Sequence, residues 1–360
     1  MLVNNLRKLD WGVILIALLL IGVGLFTIYG IGSDSAMFFL KKQVCFFIFS
    51  MLVMFFFVFF DYRLFKNNSF ILVIIYLLSL TSLVLVLSSP EIQGASSWFK
   101  VGFLSFEPVE FVKIVVILFL AKYFSLRHIE MYRIRHLIIS GFYISIIFFL
   151  LLLQPDFGSA LIVFSIWLGV LIISGIKLRH LVVLMLLFSL VFGAGWFGFL
   201  KDYQKQRILT FLNPEKDPYG GGYHVSQSLI AVGSGKLTGQ GMGDNSQAGL
   251  RFLPAQHTDF VFASLAEQRG LIGVTFLLFL YCLLFWRVIR IGLNSLNNFS
   301  KLFVAGFSVM IFVQIIINIG MNLGVMPITG ITLPFVSYGG SSLLSLFICL
   351  GILQSINIKT

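Results

Sequence analysis

Long apolar runs recur along this chain, and they restrict its fold more than any other feature of the sequence. An α-helix rises about 1.5 Å per residue, so about 20 apolar residues cross the roughly 30 Å of hydrocarbon in a bilayer. Backbone groups in lipid must be satisfied within their own segment, and the runs lack the two-residue alternation of barrel strands. The sequence therefore predicts an all-α, polytopic membrane protein with about ten transmembrane helices. The predicted spans are 11–31, 43–60, 70–88, 108–124, 137–153, 158–175, 180–200, 260–286, 302–323 and 335–356.

The composition excludes a soluble fold. Of 360 residues, 59% are hydrophobic and 11% are charged, against roughly 25% charged residues in an ordinary soluble domain. The net charge of +11 would suggest nucleic acid in a soluble protein, but here it is better explained by membrane topology. Cys45, Cys282 and Cys349 all lie in apolar runs, which predicts small hydrophobic residues rather than metal ligands or disulfides.

The distribution of basic residues predicts the orientation. Ten crossings place both termini on one side, and the excess of Lys and Arg on that side makes it cytoplasmic. The inner side carries Arg7, Lys8, Arg63, Lys66, Lys122, Arg127, Arg133, Arg135, Lys177, Arg179, Arg287, Arg290, Lys301 and Lys359, whereas the short outer loops carry only Lys41, Lys42 and Lys100. The first run is longer than a signal-peptide core, so it is interpreted as a retained helix. The whole chain, 1–360, is predicted to form one transmembrane domain.

Two irregular segments are predicted to shape a cavity on the outer side. Residues 201–258 form a large extracytoplasmic loop between predicted helices 7 and 8, and long loops of this kind are commonly functional. Within it, Val225–Val232 is apolar enough for a short interfacial or re-entrant helix. The stretch MPITGITLPFVSYGGSS, at 326–342, contains Ser337 among Gly, Pro and hydroxyl residues. Irregular backbone at membrane depth survives only where it is buried in protein or lines a cavity.

Charged residues beside the bilayer core are functional candidates because they are expensive there. In FEPVEFVKI, Glu110 and Lys113 lie three residues apart and therefore on one helical face. They should neutralise each other. Two interpretations stay open: a structural ion pair between helices, or the lining of a polar cavity that meets a charged ligand.

The turn QPDFGS joins predicted helices 5 and 6 and sets Gln154 and Asp156 at the outer edge of the membrane. Pro155 and Gly158 explain the turn. Asp156 either caps the following helix, a common role for Asp, or faces the outer cavity.

Asp259 is the sharpest catalytic candidate. It stands in PAQHTDFVFASLAEQRG, where the long loop returns to the membrane. As a purely structural residue it would be a first-turn acid behind a Thr258 N-cap. A carboxylate beside His257, at the mouth of an apolar region and facing loop cations such as Arg207 and Arg251, also suits a general base.

Common nucleotide-binding and metal-binding motifs are missing from the sequence. It contains no GxxxxGK[ST] loop, no dinucleotide fingerprint, no HExxH and no metal-spaced Cys/His set. Nucleotide hydrolysis is therefore not expected, and any reaction must draw on an activated substrate or an ion gradient.

Four motifs, in this order among ten predicted helices, carry a family resemblance: QPDFGSALIV, GYHVSQSLIAVGSGKLTGQGMG, HTDFVFASLAEQRGLIG and LPFVSYGGSSL. The chain resembles the SEDS family of bacterial cell-wall proteins, and most closely its RodA branch. The resemblance implies a peptidoglycan glycosyltransferase that polymerises lipid II at the outer face of the cytoplasmic membrane. It also implies a class B penicillin-binding protein as the transpeptidase partner, and a role in cell elongation and shape.

The resemblance also assigns roles to residues. Asp259 would be the catalytic residue, Glu110 and Lys113 match an ExxK pair, and Gln154 with Asp156 matches the QPD turn. The remaining substrate-binding candidates are Trp98, Lys100, Arg207, His257, Thr258 and Ser337. Two positions depart from the family pattern: EPVE, at 107–110, stands where QPSE is frequent, and Gln268 stands where Glu is frequent.

The implied chemistry needs one base, because a polyprenyl diphosphate is a good leaving group. Its growing charge needs cations from the long loop or a divalent ion, Mg²⁺ or Mn²⁺, although no metal cage is visible in the sequence. The alternatives are a flippase or transporter for the same lipid-linked precursor, which should show repeat symmetry, and a non-catalytic scaffold.

Overall fold

A computed structural model describes residues 7–32, 34–89, 97–101, 104–127, 134–184, 220–241 and 255–359, with isolated positions between 186 and 217. Its helices are α1 (Trp11–Gly30), α2 (Asp34–Phe59), α3 (Arg63–Asn67), α4 (Ser69–Val86), α5 (Pro108–Ser125), α6 (Ile134–Leu153), α7 (Phe157–Ile173), α8 (Gly221–Ser234), α9 (Val261–Asn294), α10 (Asn298–Asn322) and α11 (Gly340–Lys359). A small antiparallel hairpin, β1 (Phe99–Val101) and β2 (Leu104–Phe106), precedes α5 and pairs Lys100 with Ser105. The hairpin is a minor departure from the all-α prediction.

Seven of the described helices are long and apolar enough to cross a membrane: α1, α2, α4, α6, α9, α10 and α11. The prediction of a mostly helical, polytopic membrane protein is confirmed in this form. Of the other predicted spans, α7 is apolar but shorter, and α5 contains Glu110, Lys113 and Lys122. The seventh predicted span, 180–200, is helical over 178–184, and most of its remainder lies outside the described residues.

The polarity of the helix bundle is typical of a protein surrounded by lipid. Phe70 and Leu85 on α4 are 75% and 63% exposed, whereas Asn318, Asn322 and Gln354 are fully buried. A soluble protein would place these residue types the other way round. Helix α10 packs against α5 and α7, and α11 packs against α2. Helices α5, α10 and α11 therefore form the centre of the bundle.

Local signals explain where several helices begin. Asp10 caps α1 by accepting a hydrogen bond from the Val13 N–H at 3.2 Å. Asn297 caps α10 in the same way, since its Oδ1 accepts from the Ser300 N–H at 3.0 Å. Pro108 occupies the first position of α5, where its missing N–H costs nothing. Helix α2 begins nine residues before the predicted span at 43, and α11 begins at Gly340 rather than 335.

Helix α9 kinks at Gly270, where it contacts the segment that follows α8. The predicted helix at Val225–Val232 lies within α8, which packs against α9. After α8, the Gln240 N–H donates to the Glu267 carbonyl at 2.8 Å, and the Leu271 N–H donates to the Lys236 carbonyl at 2.9 Å. Gly270 has φ of 61° and ψ of −159°, a backbone conformation that residues with a Cβ rarely adopt. The kink at Gly270 therefore lets α9 share backbone hydrogen bonds with the segment after α8.

Candidate active site

Four segments meet at one end of the bundle: the start of α5, the α6–α7 turn, the turn 255–260 and the loop 323–339. The Glu107 N–H, just before α5, donates to Ser341 Oγ at 3.1 Å, and Ser341 lies in the first turn of α11, directly after the loop 323–339. A Cβ on Gly158 would lie 2.7 Å from the Ile331 side chain, so the α6–α7 turn packs tightly on the loop. A Cβ on Gly330 would lie 3.8 Å from Asp259 Oδ2. The motifs that are distant in sequence are therefore parts of one site.

The turn that carries Asp259 differs from the sequence prediction. The Ala255 carbonyl accepts from the N–H groups of Thr258 and Asp259 at 3.1 Å and of Phe260 at 3.3 Å. Helix α9 begins only at Val261, with Phe260 at the N-cap. The prediction of Thr258 as N-cap and Asp259 as a first-turn acid is therefore wrong. The shared Ala255 carbonyl tightens the chain into a turn, which leaves the Asp259 side chain partly exposed.

Two buried asparagines hold this turn, and the sequence reasoning missed them. Asn318 and Asn322 donate from their amides to the Asp259 backbone carbonyl at 3.1 and 3.0 Å. Asn318 also donates to the Ile331 carbonyl at 2.7 Å, so it ties the turn to the loop 323–339. The available signal was their spacing of four in an otherwise apolar run, which places both amides on one helical face.

Thr258, His257 and Ser337 make contacts within the protein that support the turn. Ser337 Oγ donates to the Thr258 carbonyl at 2.6 Å, and the Tyr338 N–H donates to the His257 carbonyl at 2.8 Å. The His257 ring stacks on Phe39 with centroids 3.9 Å apart. Burial lowers the pKa of His257, which favours its neutral form. These contacts join the start of α2 and the loop 323–339 to the turn that carries Asp259.

Glu110 and Lys113 form the predicted ion pair. Lys113 Nζ lies 2.7 Å from Glu110 Oε1, and the two side chains are 1% and 7% exposed. Ser345 Oγ, on α11, donates to Glu110 Oε2 at 3.2 Å. The pair therefore links α5 to α11 just below the site, and its charges are largely committed to each other.

The α6–α7 turn carries two of the substrate-binding candidates, and both make structural contacts. Gln154 is 1% exposed, and its Nε2 donates to the Leu83 carbonyl at 2.8 Å, which ties the turn to α4. Asp156 caps α7, because its Oδ1 accepts from the Ser159 N–H at 2.9 Å. Burial raises the pKa of Asp156, although the hydrogen bonds from Ser159 and the charge of Lys113 oppose this. The capping alternative for Asp156 is the one that the geometry shows.

Carboxyl groups outnumber cations in this site. Burial raises the pKa of Glu107, and the charges of Glu110 and Asp156 raise it further, while Lys113 opposes them. Asp259 contributes in the same direction. Within the described part of the chain, no three His, Cys, Asp or Glu side chains converge as metal ligands would. The acidic residues of this cluster are close enough to interact electrostatically.

The remaining candidates named from the sequence are Trp98, Lys100, Arg207 and Arg251. Trp98 is half-buried immediately before β1, and the Lys100 backbone lies in β1. Arg207 and Arg251 lie outside the described residues.

Comparison with known proteins assigns the fold and the site to a class. Residues 10–360 match the family model FtsW/RodA/SpoVE, whose description is cell cycle protein. This chain belongs to that family, as its motifs predicted. It is 35% identical over 358 residues to stage V sporulation protein E of Bacillus subtilis (strain 168), covering 97% of this chain and 96% of that protein. It is 40% identical over 268 residues to peptidoglycan glycosyltransferase MrdB of Escherichia coli (strain K12), covering 74% and 71%.

A solved structure has the same fold along nearly the whole chain. It is described as showing the structural coordination of polymerization and crosslinking by a peptidoglycan synthase complex. The TM-score is 0.83 at 33% sequence identity, and 97% of each chain is covered.

Proposed function

We propose that this chain is a peptidoglycan glycosyltransferase that polymerises lipid II at the outer face of the cytoplasmic membrane. The observation that carries the proposal is the placement of Asp259. Its side chain is partly exposed at the end of the bundle where the start of α5, the α6–α7 turn and the loop 323–339 meet the turn 255–260, and two buried asparagines fix its backbone. The similarity to a protein named peptidoglycan glycosyltransferase supports the same activity.

The reaction assigns Asp259 as the general base. Its carboxylate takes the proton from the 4-hydroxyl of the acceptor sugar while that oxygen attacks the anomeric carbon of the donor. The bond from this carbon to the diphosphate breaks, so the polyprenyl diphosphate leaves with the electron pair and the anomeric configuration inverts. The diphosphate needs little protonation, and a second acid is not required. No step is assigned to Mg²⁺ or Mn²⁺, because the described carboxyl groups do not converge as ligands.

The proposed topology has ten crossings with both termini in the cytoplasm. Seven apolar helices, the shorter α7, the charged α5 and the segment that begins at 178 account for the ten. The excess of Lys and Arg at the end opposite Asp259 favours this orientation. It places the large loop 201–258 and the candidate active site outside.

We infer that the partner is a class B penicillin-binding protein and that the pair serves cell elongation and shape. The similar structure described as a peptidoglycan synthase complex couples polymerization with crosslinking. A glycosyltransferase and a transpeptidase in one assembly would supply these two activities.

Reconstitution tests the proposal. The purified chain and its partner are supplied with lipid II in liposomes, with the transpeptidase blocked, and glycan polymer is measured by gel electrophoresis. We expect polymer from the wild type and none from Asp259→Ala, provided that both proteins have the same melting temperature. Parallel reactions with Mg²⁺, Mn²⁺ or a chelator test the metal dependence.

Three outcomes would contradict the proposal. Equal polymerisation by Asp259→Ala would remove this residue from the reaction, whereas movement of lipid II across the bilayer without polymer would indicate a flippase. Labelling of 201–258 from the cytoplasmic side would also exclude the mechanism, because the acceptor and donor sugars are outside.

A further inference from the structure

A pocket of about 350 Å³ lies at the end of the bundle opposite Asp259. Its polar lining consists of Lys66, Asn67, Lys122, Ser125, Asn297 and Asn298. It uses no residue of the candidate active site, and neither the family motifs nor the proposed reaction gives it a role.

The pocket gathers positive charge. Lys122 is 9% exposed, and its Nζ donates to the backbone carbonyl of Lys66. The two ammonium groups line the same pocket, so their like charges repel each other. The first N–H groups of the 25-residue helix α10 begin at Asn298 in the same pocket and add a positive dipole end.

The described structure supplies no acid to balance these charges. Neither Lys66 nor Lys122 forms a salt bridge with any acidic side chain in the described part of the chain. The acid nearest in sequence, Asp61, is committed to Lys359 at 2.9 Å. Buried charges in proteins are paired, because removing a lone ion from water costs several kcal/mol. The nearly buried Lys122 therefore points to an anionic ligand.

The apolar surface beside the pocket identifies the kind of anion. Leu126, which lines the pocket, is 62% exposed. Helix α4, which packs against α5, exposes 75% of Phe70 at its start. Apolar side chains at this exposure face lipid in a membrane bundle. A ligand that places an anionic group on Lys66 and Lys122 and acyl chains on this apolar surface is a phospholipid. Basic pockets between helices on the cytoplasmic side are suited to such headgroups.

We propose that this pocket binds the phosphate of an anionic phospholipid from the inner leaflet. The two lysines and the N-terminus of α10 hold the phosphate, while the acyl chains lie along Leu126 and α4. A bound lipid would bridge the α3–α4 connection, the end of α5 and the start of α10. The placement in the inner leaflet rests on the proposed topology, and the proposal is independent of the polymerase activity.

Native mass spectrometry of the detergent-solubilised protein tests this site with three probes: dioctanoyl phosphatidylglycerol, dioctanoyl phosphatidylcholine and inorganic phosphate. We expect the wild type to retain phosphatidylglycerol at least fivefold more tightly than phosphatidylcholine. Lys66→Gln should weaken phosphatidylglycerol about fivefold, since one lysine near a membrane surface contributes about 1 kcal/mol. The double variant Lys66→Gln with Lys122→Gln should lose the preference between the two lipids.

Lys301→Gln is the matched control, because Lys301 is exposed near the start of α10 but does not line the pocket. It should bind both lipids like the wild type. Lys66 is only half-buried, so the single variant keeps the test valid if the double variant does not fold. Unchanged phosphatidylglycerol binding by Lys66→Gln would overturn the proposal. So would displacement of the lipid by an equal concentration of inorganic phosphate, which would indicate a site for a free anion.

Discussion

Asp259 and Glu110 are two carboxylates at the same end of the bundle, but the protein holds them in opposite ways. Glu110 is buried, and its oxygens interact with Lys113 and Ser345. Asp259 is partly exposed, and the two asparagines grip its backbone carbonyl rather than its side chain. A carboxylate that is committed to a buried ion pair maintains structure. A carboxylate whose backbone is fixed while its side chain is partly exposed is suited to proton transfer.

The largest effect should come from Asp259→Asn, which keeps the size of the side chain but removes the base. Positioned acid–base groups contribute typically 10² to 10⁴-fold in rate. We therefore expect the rate of lipid II polymerisation to fall by about that factor while the melting temperature in detergent stays the same. Measurable polymerisation within about tenfold of the wild type would place Asp259 with Glu110 among the structural carboxylates.

The next largest effect should come from breaking the ion pair. Glu110→Gln or Lys113→Met leaves one charge buried without its partner, which costs about 3–5 kcal/mol in stability. The melting temperature of either single variant should fall clearly in detergent, together with the activity. The swapped variant, Glu110→Lys with Lys113→Glu, should recover much of both.

A different pattern would reverse the interpretation of this pair. If either single variant melts like the wild type but loses polymerisation, and the swap does not restore activity, then the pair binds substrate. The comparison between Asp259 and Glu110 would then become one between two functional carboxylates.

The sequence predicted the fold class well, because the constraint that the bilayer imposes is visible in single segments. Apolar runs predicted the helices, whereas their ends moved where polar residues extended them. Helix α2 begins at Asp34 and includes the polar segment before 43, and α9 continues through Arg287 and Arg290 to Asn294. The kink at Gly270 was not predicted, because it depends on hydrogen bonds from the distant segment after α8.

The site was only partly predictable for a related reason. The neighbours Glu110 and Lys113 could be paired from their spacing alone. The backbone of Asp259 is held by Asn318 and Asn322 on α10, about sixty residues away. In the sequence alone, these two asparagines look like residues that pack helices together. Thr258 was predicted to be the N-cap because Thr is common at that position. The prediction failed because the N–H groups of 258–260 donate to the Ala255 carbonyl instead, in a turn held by contacts with the loop 323–339.

A smaller effect is expected from loosening the grip on Asp259. Asn322→Leu removes one of the two amide hydrogen bonds to the Asp259 carbonyl, at 3.0 Å. It also leaves the buried Ala263 N–H without its acceptor, Asn322 Oδ1, and an unsatisfied buried polar group costs about 1–3 kcal/mol. Polymerisation should fall about tenfold through kcat, with a modest loss of stability. Gln314→Leu is the matched control, because Gln314 is a buried amide on the same helix and its Oε1 has no hydrogen-bond partner among the described residues. Equal activities of the two variants would show that Asn322 does not position Asp259.

The smallest effect should come from Glu107, which precedes α5. Burial, together with the charges of Glu110 and Asp156, raises the pKa of Glu107, so folding favours its protonated form. The stability from this group is present below the ordinary Glu pKa of about 4.3 and is lost as the pH rises through the raised value. Glu107→Gln stays neutral, so its melting temperature should fall less than that of the wild type between about pH 5 and pH 8. At the upper end of this range, the variant should be at least as stable as the wild type.

Glu110→Gln is the contrasting variant. It should be less stable than the wild type throughout the same range, because it leaves the buried Lys113 ammonium without its ion-pair partner. If Glu107→Gln were also less stable than the wild type throughout this range, Glu107 would be a charged partner within the fold, as Glu110 is.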